Sequence, residues 1–279
     1  MSLTFNEVKN KCTQDRYFAY DTWQDRLFVP PAMCLVWIFV RIGISGNAVS
    51  WLSSFVAVLG AFLLTSNHSL VVFIGSFGYI LWYLLDYVDG AVARFNGKGS
   101  VAGQYIDWIM HVISHVAIVA GISIGAMNNT GAWIYPFVIL GIIASCLTYA
   151  RFSMAWFAIC MEQQQRREKG LEVLTGNKIV HVSSSKSFGF KYMRGLSILI
   201  FHENYLVFTL PVIAALELFN AVESIDFFIV FTITAGAVYF PVQIIEIHRL
   251  VVSGKIQNGY SELFSSDHVP NLPNDHFFN

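Results

Sequence analysis

The chain has 279 residues, 55% of them hydrophobic and only 13% charged, with a formal net charge of −1. Soluble domains carry about 25% charged residues, and a water-facing fold of this length cannot bury several uncharged runs of about 20 residues each. The mean hydropathy of +0.55 therefore points to a bilayer as part of the solvent. The near-zero charge gives no body for a polyanion, so no nucleic-acid partner is expected.

Residues 1–45 read as a cytoplasmic or juxtamembrane amphipathic segment. Lys9, Lys11, Asp15, Arg16, Asp25 and Arg26 are mixed with aromatics there, and no continuous apolar stretch suggests a secretory signal. From 17 to 44 aromatic and polar residues alternate, Pro30 and Pro31 break the run, and Arg41 falls inside it. This pattern predicts a helix lying on the membrane surface rather than a span. Six spans follow, at about 46–66, 69–90, 101–127, 131–151, 195–219 and 224–247, each long enough for a hydrocarbon core of ~30 Å at 1.5 Å per residue. The expected fold is thus all-α and polytopic, with a six-helix catalytic domain over 46–252 and a polar, turn-rich tail over 253–279. No internal repeat is visible. That counts against a transporter, as does a polar cluster at the membrane boundary rather than the midplane.

With six spans, all 17 Lys and Arg fall on one side: before span one, between two and three, between four and five, and after six. The connections near His68, Asn128–Thr130 and Ala221–Glu223 have none. Excess Lys and Arg mark the cytoplasmic side, so both termini are expected there. Cys12, Cys34, Cys146 and Cys160 show no CxxC spacing and read as small core or interface residues.

Chemistry concentrates where span two ends and span three begins. Trp82, Asp86, Asp89 and Ala93 follow an i, i+4, i+7, i+11 stripe, and Gly103, Asp107, His111 and His115 repeat at i+4. Two helices joined by a short turn can aim three carboxylates and an imidazole into one volume. Three uncompensated carboxylates at a membrane boundary are costly, and a hard divalent cation removes that cost. Asp86, Asp89, Asp107 and His111 are the candidate metal ligands, for Mg²⁺ or Mn²⁺ and for a two-ion site. Gly90, Ala93 and Gly103 remove bulk where a ligand or helix must come close, and Arg94 offers a forked donor for phosphate.

The run Asp86-x-x-Asp89-Gly90-x-x-Ala93-Arg94, then eight residues to Gly103-x-x-x-Asp107, resembles the signature of the CDP-alcohol phosphatidyltransferases. The layout of a surface helix and six spans is similar too, as are Gly46-Asn47 and Tyr149-Ala150-Arg151. The resemblance implies transfer of a phospho-alcohol group from a CDP-linked donor to the hydroxyl of an acceptor alcohol or lipid, releasing CMP. It also implies metal on Asp86, Asp89 and Asp107, the CDP donor on Gly90, Ala93, Arg94 and Gly103, contact with membrane lipids, and a homodimer.

One position departs from the signature: His111 stands where the family carries a fourth aspartate, a ligand and general base. An imidazole, with an unperturbed pKa near ~6.5, is able to take a proton from an alcohol. His111 is read as the base, as a ligand or positioning group with the base elsewhere, or as the mark of a catalytically altered site that binds CDP-alcohol without turnover. It also suits Mn²⁺ better than Mg²⁺. His115 reads first as a hydrogen-bonded core histidine, and Trp82 as a packing aromatic. Arg151, Lys186, Lys191 and Arg194 are candidates for a phosphate on the acceptor or lipid. His202 and Glu203, at membrane depth, suggest a polar cavity that shapes the acceptor pocket. A hydrolase of CDP-linked donors is the nearest rival reading.

Overall fold

The structure is a computed structural model, and it describes residues 3–14, 23–97, 101–150, 203–219 and 224–252. Helix α1, Phe5–Gln14, starts at a reciprocal cap. The Thr4 backbone N–H donates to Glu7 Oε2 at 2.7 Å, and the Glu7 N–H donates back to Thr4 Oγ1 at 3.4 Å. The Thr4 N–H and the Thr4 hydroxyl, which also donates to Oε2 at 2.8 Å, favour the charged carboxylate and hold Glu7 below its ordinary range.

Helix α2, Trp23–Ile42, carries Pro30 and Pro31 inside it. The expected break at the prolines is not there. Both prolines lie on the exposed side of the helix. The opposite face, Phe28, Val29, Ala32, Met33 and Val36, is buried and holds the turns in register across the lost N–H donors. Trp23, Leu27, Ile38 and Ile42 stay exposed on α2, an apolar surface fit for lipid.

Helices α3 (Gly46–Leu64), α4 (Ser69–Phe95), α5 (Val101–Thr130) and α6 (Ala132–Ala150) follow in sequence. Helix α7 is Glu203–Leu218. The last described helix, α8, runs from Ser224–Thr234 through a π-helical turn, Ala235–Tyr239, into Phe240–Val252. No strand occurs among the described residues. Among those residues five helical stretches, in α3, α4, α5, α6 and α8, are long and apolar enough to cross a membrane. The expected span at 195–219 is represented by α7 alone, because 195–202 lie outside the described residues. The 253–279 tail lies outside them as well.

Small residues let these helices approach closely, the packing mode that lipid-embedded bundles favour. A Cβ at Gly60 of α3 would come within 2.8 Å of the Gly75 carbonyl oxygen on α4. One at Gly125 of α5 would come within 2.8 Å of the Leu64 carbonyl oxygen and 2.9 Å of the Phe228 ring. On the same α5 face, a Cβ at Gly121 would run into the Ala61 carbonyl oxygen. Because that obstacle is backbone, Gly121→Ala is expected to cost about 1–3 kcal/mol through overpacking. The measurement is the shift of the melting transition in detergent; an unchanged transition would show that α3 and α5 can separate freely.

The core is aromatic and aliphatic, with Tyr79, Trp82, Ile118, Ile122, Leu210 and Phe231 buried between helices. Its role here is to fix the end of α4 against α3 and the first turns of α5.

Candidate active site

Helix α4 does not end at its aspartates. Asp86, Asp89, Gly90, Ala93 and Arg94 all lie within it, and the helix stops only at Asn96–Gly97. There the Asn96 N–H donates to the Val92 carbonyl oxygen at 3.1 Å and the Gly97 N–H to that of Arg94 at 3.0 Å. Gly97 turns the chain out at φ 66°, a left-handed conformation that suits glycine. Helix α5 begins at Val101 and brings Asp107 and His111 back alongside.

Asp86, Asp107 and His111 meet there, with ligand-capable atoms all within 4.8 Å of one another. His111 Nε2 lies 2.7 Å from Asp86 Oδ1 and 3.5 Å from Asp107 Oδ1. Their side chains grade from 17% exposed at His111 through 26% at Asp86 to 44% at Asp107, so the cluster opens toward the start of α5. The His111 ring meets the edge of Trp82 at 5.4 Å, and Trp82 stacks on Tyr79 at 4.7 Å. The packing role expected for Trp82 therefore includes support for the imidazole.

Asp89 lies on the α3 side of that cluster, within electrostatic reach of Asp86, Asp107 and His111. It is 6% exposed, and its Oδ2 accepts a 2.6 Å hydrogen bond from Ser50 Oγ of α3. The cluster of potential ligands thus holds Asp86, Asp107 and His111 without Asp89. Gly46 lies beside the same turn, where a Cβ would come within 2.7 Å of the Asp89 carbonyl oxygen and 2.8 Å of Ala93 Cβ. Arg94 is exposed, and its guanidinium folds back over Gly90, 3.1 Å from where a Cβ would sit.

Residues 43–166 match the family model for CDP-alcohol phosphatidyltransferase. Over that stretch the chain is similar to the family. The matched segment runs from the start of α3 past α6 and contains every residue of the α4–α5 constellation. A search of the curated proteins found no match. The family reaction is, in general terms, transfer of a phosphatidyl or similar group from a CDP-alcohol, and the several apolar helices make this chain an integral membrane protein.

The donor set suits the divalent cation on which the family generally depends. Two carboxylates and an imidazole are hard or borderline ligands. Their spread of 4.8 Å is close to the ~4.2 Å between ligands on opposite sides of an ion at ~2.1 Å. Asp86, Asp107 and His111 are the residues that could hold it.

Among the other expected residues, Gly103 is half-buried on α5, and His115 is buried with its ring against Tyr149 at 5.2 Å. Arg151, Lys186, Lys191, Arg194 and His202 lie outside the described residues, and of Glu203 only its place at the start of α7 is described. Two residues that carry the site were not foreseen. Ser50 tethers Asp89, and Asp25 of α2, buried at 7% exposure, accepts a 2.8 Å hydrogen bond from the Tyr87 hydroxyl between the two motif aspartates. The signal for Asp25 was its place one turn before Val29 on the face of α2 that the bundle buries. Ser50, one helical turn after Gly46 in an apolar run, gave less.

Proposed function

We propose that this protein is a CDP-alcohol phosphotransferase that moves a phospho-alcohol group from a CDP-linked donor to the hydroxyl of an acceptor alcohol or lipid, releasing CMP. The convergence of Asp86, Asp107 and His111 within 4.8 Å at the junction of α4 and α5 carries this reading. In the reaction the acceptor oxygen bonds to the phosphorus bearing the alcohol. The bridging P–O bond breaks with its electrons leaving on CMP, and the hydroxyl proton passes to a base. A divalent cation, Mg²⁺ or Mn²⁺, would supply charge stabilisation for the diphosphate when bound to Asp86, Asp107 and His111. A second ion would draw on Asp89.

The chain's own groups have distinct parts in this scheme. Arg94 would pair with a phosphate of the donor, and Gly90, Ala93 and Gly103 would leave room for the nucleotide. His111, held by Asp86 and packed against Trp82, has one basic nitrogen, which would receive the acceptor's proton when it is not ligating the cation; with His111 as a ligand the base lies elsewhere. Arg151, Lys186, Lys191 and Arg194 would neutralise a phosphate on the acceptor or a lipid. The distribution of all 17 Lys and Arg supports a cytoplasmic active site and cytoplasmic termini.

Purified protein with Mn²⁺ or Mg²⁺ is expected to release CMP from a CDP-alcohol, and to do so only when an acceptor alcohol is added. CMP release that does not need acceptor, with no label transferred from a radiolabelled alcohol, would replace transfer by hydrolysis. CDP binding without CMP from a broad panel of donors and acceptors would replace catalysis by binding alone.

A further inference from the structure

Ser50 lies on the buried side of α3, together with Ser53 and Ser54. It is 3% exposed, and the carboxylate it touches is 6% exposed. Its hydroxyl has two acceptors within reach, Asp89 Oδ2 at 2.6 Å and the Gly46 carbonyl oxygen of its own helix at 3.3 Å. One hydroxyl proton serves both, and the bond to Asp89, 2.6 Å against 3.3 Å, takes it. The two backbones cannot drift apart or slide at this point, because Gly46 packs directly on the Asp89 carbonyl and on Ala93.

We propose that Ser50 is a positioning residue for the metal centre. By holding Asp89 Oδ2 against α3, it fixes the direction from which the carboxylate faces the neighbouring Asp86, Asp107 and His111 cluster. The proposal rests on the divalent-metal reading above. A carboxylate this buried, with a helix on one side and the cluster on the other, would otherwise be able to swing between them. The hydroxyl fixes one rotamer before the cation arrives, so that ordering cost is not met during binding.

The experiment is Mn²⁺ binding to the full chain in detergent, followed by the electron paramagnetic resonance signal of free Mn²⁺, with melting recorded for each variant. Ser50→Ala is expected to weaken Mn²⁺ binding about 10–100-fold, the usual effect of removing a hydrogen-bond partner from a metal ligand. Ser50→Thr, which keeps the hydroxyl, is expected to remain within about threefold of wild type. In an Asp89→Asn background Ser50→Ala should add nothing, because Ser50 acts through that carboxylate. Should Ser50→Ala not fold, Ser50→Cys, of nearly the same bulk and a weak donor, carries the same measurement. Wild-type Mn²⁺ affinity in the folded Ala or Cys variant overturns the proposal, and so does an equal loss in the Asp89→Asn background. Wild-type Mn²⁺ binding by Asp107→Ala would instead overturn the metal-site reading on which it stands.

Discussion

Asp107→Ala is expected to abolish divalent-dependent CDP binding and to lower CMP release by about 10³-fold or more, the scale of losing one element of charge stabilisation in a preorganised site. Its exposure makes the experiment clean. At 44% exposed, the Asp107 side chain adds little to the core, and it lies beside the Asp86 carboxylate that also meets His111. Removing one of two neighbouring like charges relieves repulsion, so the melting temperature of the apo variant should be unchanged or raised. Asp89→Ala should behave differently. It removes the nearer acceptor of the Ser50 hydroxyl, leaving only the longer bond to the Gly46 carbonyl oxygen, and empties a buried position in the helix interface. Asp89→Ala is therefore expected to lower both the melting temperature and activity. Equal stability losses for the two variants would contradict the division of the motif into an open cluster and a tethered carboxylate. CDP binding by Asp107→Ala that still responds to divalent cation would remove Asp107 from the metal site.

That division shows where the sequence was legible and where it was not. Span starts at Gly46, Ser69 and Val101 coincide with the expected 46, 69 and 101, because apolar runs bounded by turn residues leave little choice of register. The end of α4 did not. The expected span stops at 90, while the helix continues to Phe95. Gly90 is flanked by helix-compatible residues, and a single glycine inside a packed helix costs only ~1 kcal/mol. The prolines of α2 are the converse case, strong local breakers overridden by a buried face.

At the site, i+4 spacing correctly joined Asp107 to His111, since both lie on one helix and one face. The same reasoning put Asp86 and Asp89 on one stripe. At 100° per residue, however, an i, i+3 pair diverges by about 60° around the helix. That angle sends Asp86 toward α5 and Asp89 toward α3, and periodicity along one helix holds no record of which neighbour stands on which side. Ser50 was hidden for the same reason, because its meaning lies in a contact across 39 positions of sequence. The fold class needed only composition and period, whereas the partition of the carboxylates needed the packing of α3.

His111 is the position that sets this sequence apart from the signature it resembles, and its surroundings argue for function over decay. Nε2 is held at 2.7 Å by Asp86 of a different helix, and the ring rests on the edge of Trp82, itself stacked on Tyr79 with planes 6° apart. An imidazole fixed by a carboxylate and an ordered aromatic pair is preorganised, which is what proton transfer or ligation requires. His111→Ala is accordingly expected to lower CMP release by about 10²–10⁴-fold, the range for losing a general base. His111→Gln separates the roles, because a Gln amide can imitate the Nε2–H donor to Asp86 but cannot accept a proton at neutral pH. Activity as low as that of His111→Ala assigns His111 to the base or to ligation, while wild-type activity reduces it to a hydrogen-bonding prop. His111→Asp restores the family's fourth carboxylate and adds a negative charge beside Asp86 and Asp107. Part of the lost turnover should return, with a shift of preference from Mn²⁺ toward Mg²⁺, because oxygen ligands suit the harder ion. Full activity in His111→Ala, measured as CMP release at saturating metal, would show that the reaction draws its base from another residue.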